Sequence, residues 1–407
     1  MSDNYKGIDY LRRKLATKED RVRVRYQYYE MKKRVNDRGI TIPPEIRKEY
    51  RSTLGWCAKA VDALADRLVF RKFENDNFDL NGIYNMNNPD ILFDSAILSA
   101  LISSCCFIYI SPDEDGFPRL QVIDGGNATG IIDPITGLLS EGYAILERDR
   151  ETGKPEQEAY FIAGRTDYIK SGEITDSRTQ DVESPLLVPI INRPDAVRPF
   201  GHSRISRACM YFQQYACRTL ERSDISAEFY SYPQRYVIGR HEDSEQLNSW
   251  KATITSMLDI TKDEDGDRPT IGQFTQQSMT PYTDQLRTAA AGFAGETGLT
   301  LDDLGFATEN PSSAEAIKAS HENLRAEARK AQRGFGSGFL NAGYLAACLR
   351  DGYPYKREQV YLTRAKWEPI FEPDAAMLSG VGDALIKIQQ AFPDYLTEDK
   401  IRDLTGF

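Results

Sequence analysis

The chain has 407 residues, 41% of them hydrophobic and 11% aromatic, with 51 basic and 61 acidic side chains and a formal charge of −10. That apolar content suffices for two or three folded domains and excludes a disordered chain, while the sign of the charge excludes a simple module that grips nucleic acid tightly. The charge is uneven, because residues 1–72 hold 19 basic and 10 acidic side chains and the remainder is strongly acidic.

Residues 5–35 are basic and Tyr-rich with helical stretches. Arg12, Arg13, Lys14, Arg21, Arg23 and Arg25 stand among Tyr26, Tyr28 and Tyr29, and the preferred reading is a solvated helix face over a nucleic-acid contact. After Pro43 and Pro44, apolar residues at Ile46, Tyr50, Leu54, Cys57, Val61, Leu64 and Leu68 form one stripe at helical period. A helix over 89–104 feeds a strand over 107–111, and the Asp-Gly step before Pro118 predicts a hairpin turn. Strands over 120–123, 128–132, 142–148, 158–162 and 166–170 predict an antiparallel meander.

Next comes a helix from a Ser203 cap to Tyr230, free of proline and about 42 Å long at 1.5 Å per residue. A small lobe follows, with a strand over 235–239, a helix over 244–260 and a strand over 270–274. The chain returns through a second helix with Thr280 as cap, Pro281 at its first position and Gly298 at its end. Its face is small at Ala289, Ala290, Ala291, Gly292 and Ala294, which permits close approach of another helix. A loop at 301–311 leads to a capping box at Ser312 and Glu315 and a long amphipathic helix. Gly334, Gly336 and Gly338 predict a hinge or break in it. A segment over 339–349, a strand over 359–367 and one or two short helices from Asp374 complete the chain.

No catalytic constellation stands out. There are three histidines, His202 and Ser203 read as a helix start and not a nucleophile, and His241 and His321 are isolated. The acidic run Asp263–Asp267 lacks the later glutamate of a calcium loop, and no phosphate-loop motif occurs, so no metal, no cofactor and no enzyme activity are expected. The six cysteines, including the vicinal Cys105 and Cys106, show no C-x-x-C spacing and read as reduced, buried thiols. The opening residues lack the apolar core of a secretory signal and the most apolar run, 96–110, is too short to cross a bilayer, so a cytoplasmic setting is expected.

The element order resembles the portal proteins of long-tailed, double-stranded DNA bacteriophages. The residues that carry the resemblance are Arg198-Pro-Phe-Gly-His-Ser203, Pro233-Gln-Arg-Tyr-Val-Ile-Gly239, Glu296-Thr-Gly-Leu-Thr-Leu-Asp-Asp-Leu-Gly305, Ser312-Ser-Ala-Glu-Ala-Ile317 and Gln332-Arg-Gly-Phe335. It implies an α+β portal fold: a wing over 1–200 and 313–372, stem helices over 201–230 and 281–298, a small α/β clip over 231–280, a channel loop over 299–312 and a short helical crown over 373–407. It further implies a homo-oligomeric, usually dodecameric ring at one capsid vertex, assembled in the host cytoplasm, through which DNA is packaged and ejected. The implied partners are major capsid protein, scaffolding protein, a terminase motor, a head-completion or tail adaptor, and double-stranded DNA bound without sequence preference; no membrane is involved. In that reading Asp302, Asp303 and Glu309 line the channel as weak repulsors, Arg287 touches the DNA backbone in passing, and the small face of the second stem helix packs subunits together. A minor capsid or adaptor protein is the alternative.

Overall fold

The computed structural model of the chain describes residues 5–35, 50–231, 235–238, 270–273, 278–306, 319–371 and 375–391. The expected helix over 244–260, the run Asp263–Asp267, His241, Glu309, the capping box at Ser312 and the chain end after 391 lie outside the described residues.

The mixed α+β class is as expected. Helix α1 (Ile8–Tyr29) is followed by α2 (Trp56–Ala65), strand β1 (Phe70–Glu74), α3 (Leu80–Asn85) and α4 (Pro89–Ser103). Strands β2 (Cys105–Pro112), β3 (Pro118–Asp124), β4 (Ala128–Ile132), β5 (Leu139–Arg148), β6 (Pro155–Ile162), β7 (Arg165–Lys170), β8 (Glu173–Thr179) and β9 (Leu187–Ile191) come next. Helix α5 (Arg207–Ser231), strands β10 (Arg235–Ile238) and β11 (Thr270–Gln273), helices α6 (Thr280–Thr297) and α7 (Glu322–Asp351), strand β12 (Arg364–Trp367) and helix α8 (Ala375–Ala391) complete the order.

The strands divide between sheets that the sequence does not separate. β4 to β8 form the expected meander, in sequence order, whereas β2 pairs with β3 on one side and β9 on the other in a three-stranded sheet. One face of β2 looks toward the meander, where the Tyr109 and Tyr168 hydroxyls share a hydrogen bond of 2.7 Å and Tyr109 meets Phe161 edge-on. The other face carries α4 and α7 side by side: the Cys106 thiol donates to the Ala96 carbonyl at 3.1 Å, and a Cβ on Gly338 would stand 2.8 Å from Ile190, the cross-strand partner of Cys106. The ribbon β1–β12 lies over these two helices, where Phe70 packs on Phe93 (centroids 4.1 Å) and Phe339 meets Trp367 (6.3 Å).

Several expectations are corrected. Of the stripe expected from Ile46, that residue lies outside the described residues, Tyr50 and Leu54 precede the helix, and the helical part runs from Trp56 with Gly55 at its start. Helix α5 starts at Arg207, not at Ser203; Ser206 Oγ accepts from the Cys209 amide at 3.2 Å, while Ser203 Oγ donates to the Ile102 carbonyl at 2.6 Å. Helix α6 is preceded by Met279, with Thr280 already inside it, and ends at Gly298, whose φ of +67° suits glycine. The strand expected over 359–367 is confined to Arg364–Trp367, after a 3-10 turn at Arg357–Val360. The predicted break at Gly334, Gly336 and Gly338 is absent, since α7 runs without interruption from Glu322 to Asp351. These glycines serve contact: a Cβ on Gly336 would come within 2.8 Å of Ala365 Cβ, and one on Gly338 would strike β9. Packing of the whole helix outweighs the roughly 1 kcal/mol that each glycine costs in propensity.

The amino-terminal basic segment is not simply a solvated face. Arg12 grips the Glu158 carboxylate with two bonds of 3.1 and 2.7 Å, and Arg25 donates to the Ser103 carbonyl at 2.9 Å. Lys14 and Lys18 lie over the Phe200 ring at 4.9 and 5.4 Å, and burial lowers the pKa of both ammonium groups. Arg13, Arg21 and Arg23 are the exposed members of the run. At the helix start, the amides of Lys6 and Gly7 donate to Glu141 at 2.6 and 3.0 Å.

Burial alone would raise the Glu158 carboxyl, but hydrogen bonds from Arg12 and Tyr143 outweigh it and hold its pKa below the ordinary value. A depressed folded pKa contributes stability that is present above the unfolded value and is lost as pH falls through the folded one. Glu158→Gln is therefore expected to speed hydrogen exchange in α1 at pH 7. The difference from the unmodified chain should shrink as pH falls below about 4, near the reference carboxyl range.

Candidate functional site

The feature that sets this chain apart is the out-and-back pair α5 and α6. The 25 residues of α5 extend ~37 Å at 1.5 Å per residue, and α6 adds 18 residues in return. Hydrogen bonds at both ends define the pairing as antiparallel. At the base Ser206 Oγ donates to Glu296 Oε1 at 2.7 Å, and toward the far end the hydroxyls of Ser226 and Tyr282 share a bond of 2.8 Å. Immediately beyond, β10 and β11 pair antiparallel from Arg235↔Gln273 to Ile238↔Thr270, so the inserted segment leaves and re-enters through one two-stranded neck.

The small face of α6 does not have the partner first expected for it. Ala289, Ala290 and Ala294 are buried within the subunit, where Phe293 meets Trp56 at 5.6 Å, and a Cβ on Gly292 would stand 2.4 Å from the Phe212 ring of α5. These residues are small because the chain's own first long helix and α2 occupy the space. Ala291 alone of the five is exposed, as is Arg287 on the outer side of the helix.

At the base of the pair, Arg204 is 7% exposed and holds three segments at once. Its Nε donates to the Ala60 carbonyl of α2 at 3.1 Å, and its terminal nitrogens reach the Thr297 carbonyl at the end of α6 and the Glu327 carboxylate of α7. Thr297 lies in the last turn of a helix, whose carbonyls lack helical partners and carry the negative end of the dipole, so a guanidinium there is doubly favourable. The sequence gives little sign of this role: Arg204 sits between Ser203 and Ile205 like any charged residue beside a helix start.

Past Gly298 the chain makes a compact turn. The amide and hydroxyl of Thr300 both donate to Asp303 Oδ2 at 2.9 Å, and Thr300 Oγ1 accepts from the Asp303 amide at 3.1 Å. His321, next to the start of α7, stands 3.9 Å from the same carboxylate. The two adjacent acids therefore differ. Asp303 braces its own turn, whereas Asp302 is exposed and ends its 3-10 turn at Gly305, whose φ is +89°. The hinge candidates Gly334, Gly336 and Gly338 lie along α7, away from this turn and against β9 and β12.

Among the described residues no cluster of three or more His, Cys, Asp or Glu is placed to hold a metal ion, and no helix is long and apolar enough to cross a membrane. All six cysteines are free and buried. Burial pushes the thiols of Cys57 and Cys106 well up and that of Cys217 to about 11, which keeps them protonated and poorly nucleophilic at neutral pH.

Arg204→Ala is expected to cost about 3–5 kcal/mol, the range for breaking a buried ion pair. Arg204→Lys should recover only a part, because one ammonium cannot span three separated acceptors. Ala290→Leu overpacks the helix pair and should cost about 1–3 kcal/mol within the subunit itself. Chemical denaturation of each variant measures all three.

No family model matches the chain. It is 26% identical over 347 residues to the portal protein of Mycobacterium phage D29, covering 80% of this chain and 70% of that protein, and 25% identical over the same length to the portal protein of Mycobacterium phage L5. Among solved structures it aligns with the neck of a native gene transfer agent particle computed with C12 symmetry, at 14% identity and a TM-score of 0.47 over 86% of this chain and 89% of that one. It also aligns with the virion of the native gene transfer agent particle, at 13% identity and a TM-score of 0.45 over 95% and 99% of the two chains. Along four fifths of its length the chain is thus similar to two mycobacteriophage portal proteins.

Proposed function

We propose that this chain is the subunit of a phage portal, a closed ring at one capsid vertex that forms the channel for DNA entry and exit. The observation that carries the reading is the antiparallel helix pair, pinned at both ends and rooted on one buried arginine, with the strand pair β10–β11 at its far end. Such a rod carries the β10–β11 pair away from the α+β body. Repeated around an axis, it gives a tube of paired helices between a broad disc and a narrow rim.

In this assignment α5 and α6 are the stem, residues 231–280 the clip, 299–312 the channel loop, 1–200 and 313–372 the wing and 373–407 the crown. The clip would dock the packaging motor and later the head-completion or tail protein, and the wing would meet the capsid. The role is structural, with nucleotide hydrolysis supplied by a separate motor. A tube that passes DNA must not hold phosphates, since every basic contact releases counterions and adds binding free energy that stalls the duplex. The exposed Asp302 at the channel turn, in a subunit of charge −10, suits weak repulsion, and Arg287 offers isolated contact.

The purified chain should form closed rings, visible by negative-stain microscopy, with a central hole wide enough for duplex DNA. Asp302→Lys should leave the rings intact and change DNA retention in assembled particles. A monodisperse monomer at high protein concentration would remove the portal reading. Intact rings with unchanged retention would remove only the role of Asp302.

A further inference from the structure

A closed ring is built from heterologous contacts, in which one surface of each subunit meets a different surface of the next. Subunits that each carry a formal charge of −10 repel one another. Their joint therefore needs opposed charges that overcome this repulsion.

The molecule carries two candidate halves of such a joint. The first is an open groove of about 630 Å³ between α7 and β12, lined by Arg329, Gln332, Arg333, Arg364 and Trp367. Arg329 and Arg333 are one helical turn apart, ~6 Å along the axis, and Arg364 faces them from the strand. Among the described residues none of these three guanidiniums has an ion-pair or hydrogen-bond partner, although elsewhere Arg12, Arg119, Arg148, Arg165 and Arg350 are each paired with a carboxylate. Tyr361 and Leu362, 73% and 49% exposed, extend the strip along the chain toward the groove. Arginine, tryptophan and tyrosine beside an aliphatic residue is the composition of an interface centre.

The second half is an acidic ridge on α4. Asp90 and Asp94, also one turn apart, are exposed with Ile91, which is 66% exposed, and Asp66, just past the end of α2, lies close enough to act on Asp94. Neither Asp90 nor Asp94 is in an ion pair among the described residues. Partial burial, followed by repulsion from Asp90 and Asp66, raises the Asp94 pKa, as befits carboxylates without a cation.

The ribbon β1–β12 separates the two. β1 rests on α4 through Phe70 and Phe93, and β12 rests on α7 through Ala365 and Trp367, so groove and ridge occupy opposite flanks of one small sheet. Patches on opposite flanks suit contacts that propagate around a ring.

We propose that neighbouring copies of this chain join head to tail, with Asp90, Ile91 and Asp94 of one copy seated in the Arg329–Arg333–Arg364 groove of the next. This rests on the ring reading above. Guanidinium forks bind carboxylates with two parallel hydrogen bonds, which sets register as well as attraction, and Ile91 would meet the apolar wall at Trp367.

The test compares the full chain with R329E/R333E and D90K/D94K by native mass spectrometry and negative-stain microscopy, with circular dichroism and thermal melting as checks that each variant folds. Each charge reversal alone should abolish rings. An equimolar mixture of the two variants should restore them, because both new joints, Glu against Lys and Arg against Asp, are complementary; the mixture also shows that neither variant is misfolded. Rings formed by R329E/R333E alone, or a mixture that stays monomeric while both variants melt like the parent, would overturn the proposed joint and leave the portal reading standing. Absence of rings from the unmodified chain would overturn both.

Discussion

Four distant stretches of this chain meet at one guanidinium. Arg204 draws the Ala60 carbonyl, the Thr297 carbonyl and the Glu327 carboxylate to a single buried point. A buried arginine is tolerated only when its donors are used, and here two of its acceptors need it equally. Thr297 closes α6, and among the described residues Glu327 is shared with Arg193 alone, at 3.7 Å. The departing helix α5 begins three residues beyond Arg204, and the returning helix α6 ends on it. The paired helices are thus fixed to the body at both of their inner ends by the same side chain, which makes the projecting rod stiff at its root.

Along the rod and through the body, small residues set how closely elements approach. Gly292 admits the Phe212 ring, Gly336 admits β12, Gly338 admits β9, and Gly343 lies against Tyr84 and Leu80. None of these four has the positive φ that demands glycine for backbone reasons. Their common property is that a methyl group would occupy space already filled, so interdigitation replaces side-chain bulk. A run of small residues therefore reports a neighbour without saying whether that neighbour belongs to the same chain. In α6 it is α5, and the outward side of the helix, with Arg287 and Ala291, is what remains for other contacts.

What the sequence makes legible follows from the physics of each element. The strands β2 to β7 are readable because apolar residues alternate or run between Gly, Pro and Asp turns, and the two long helices because α5 is free of proline and α6 is bounded by Pro281 and Gly298. Strand β8 is not readable: every residue of it is exposed, so the ladder to β7 alone defines it. Strand β9 carries Pro189 and lies at a sheet edge, where a missing amide is tolerated. The continuity of α7 is hidden because local propensity favours a break and only tertiary contact opposes it. The inward turn of Arg12, Lys14, Lys18 and Arg25 is hidden for a related reason, since their partners Glu158, Phe200 and Ser103 are distant in sequence. Of the candidate functional residues, the helix pair is predictable in outline and the Thr300–Asp303 brace has the Ser/Thr-x-x-Asp/Glu spacing of a capping box, whereas the Arg204 anchor depends on long-range geometry that no spacing rule encodes.

That inward turn also changes the meaning of the charge. Counted along the sequence, the first 72 residues are a basic patch. Folded, Arg12 is paired with Glu158 and Lys14 and Lys18 are held against aromatic rings, so these three cations are turned away from the basic patch. An acidic exterior lowers affinity for a polyanion, which favours passage over retention, but it also raises the repulsion between identical subunits, and salt screens the two effects alike. Cations left unpaired at one surface then acquire a use that is independent of DNA, because they reduce that repulsion where copies meet while leaving the rest of the surface acidic. On this view the three guanidiniums beside Trp367, unpaired among the described residues, and the exposed Asp302 are parts of one electrostatic constraint.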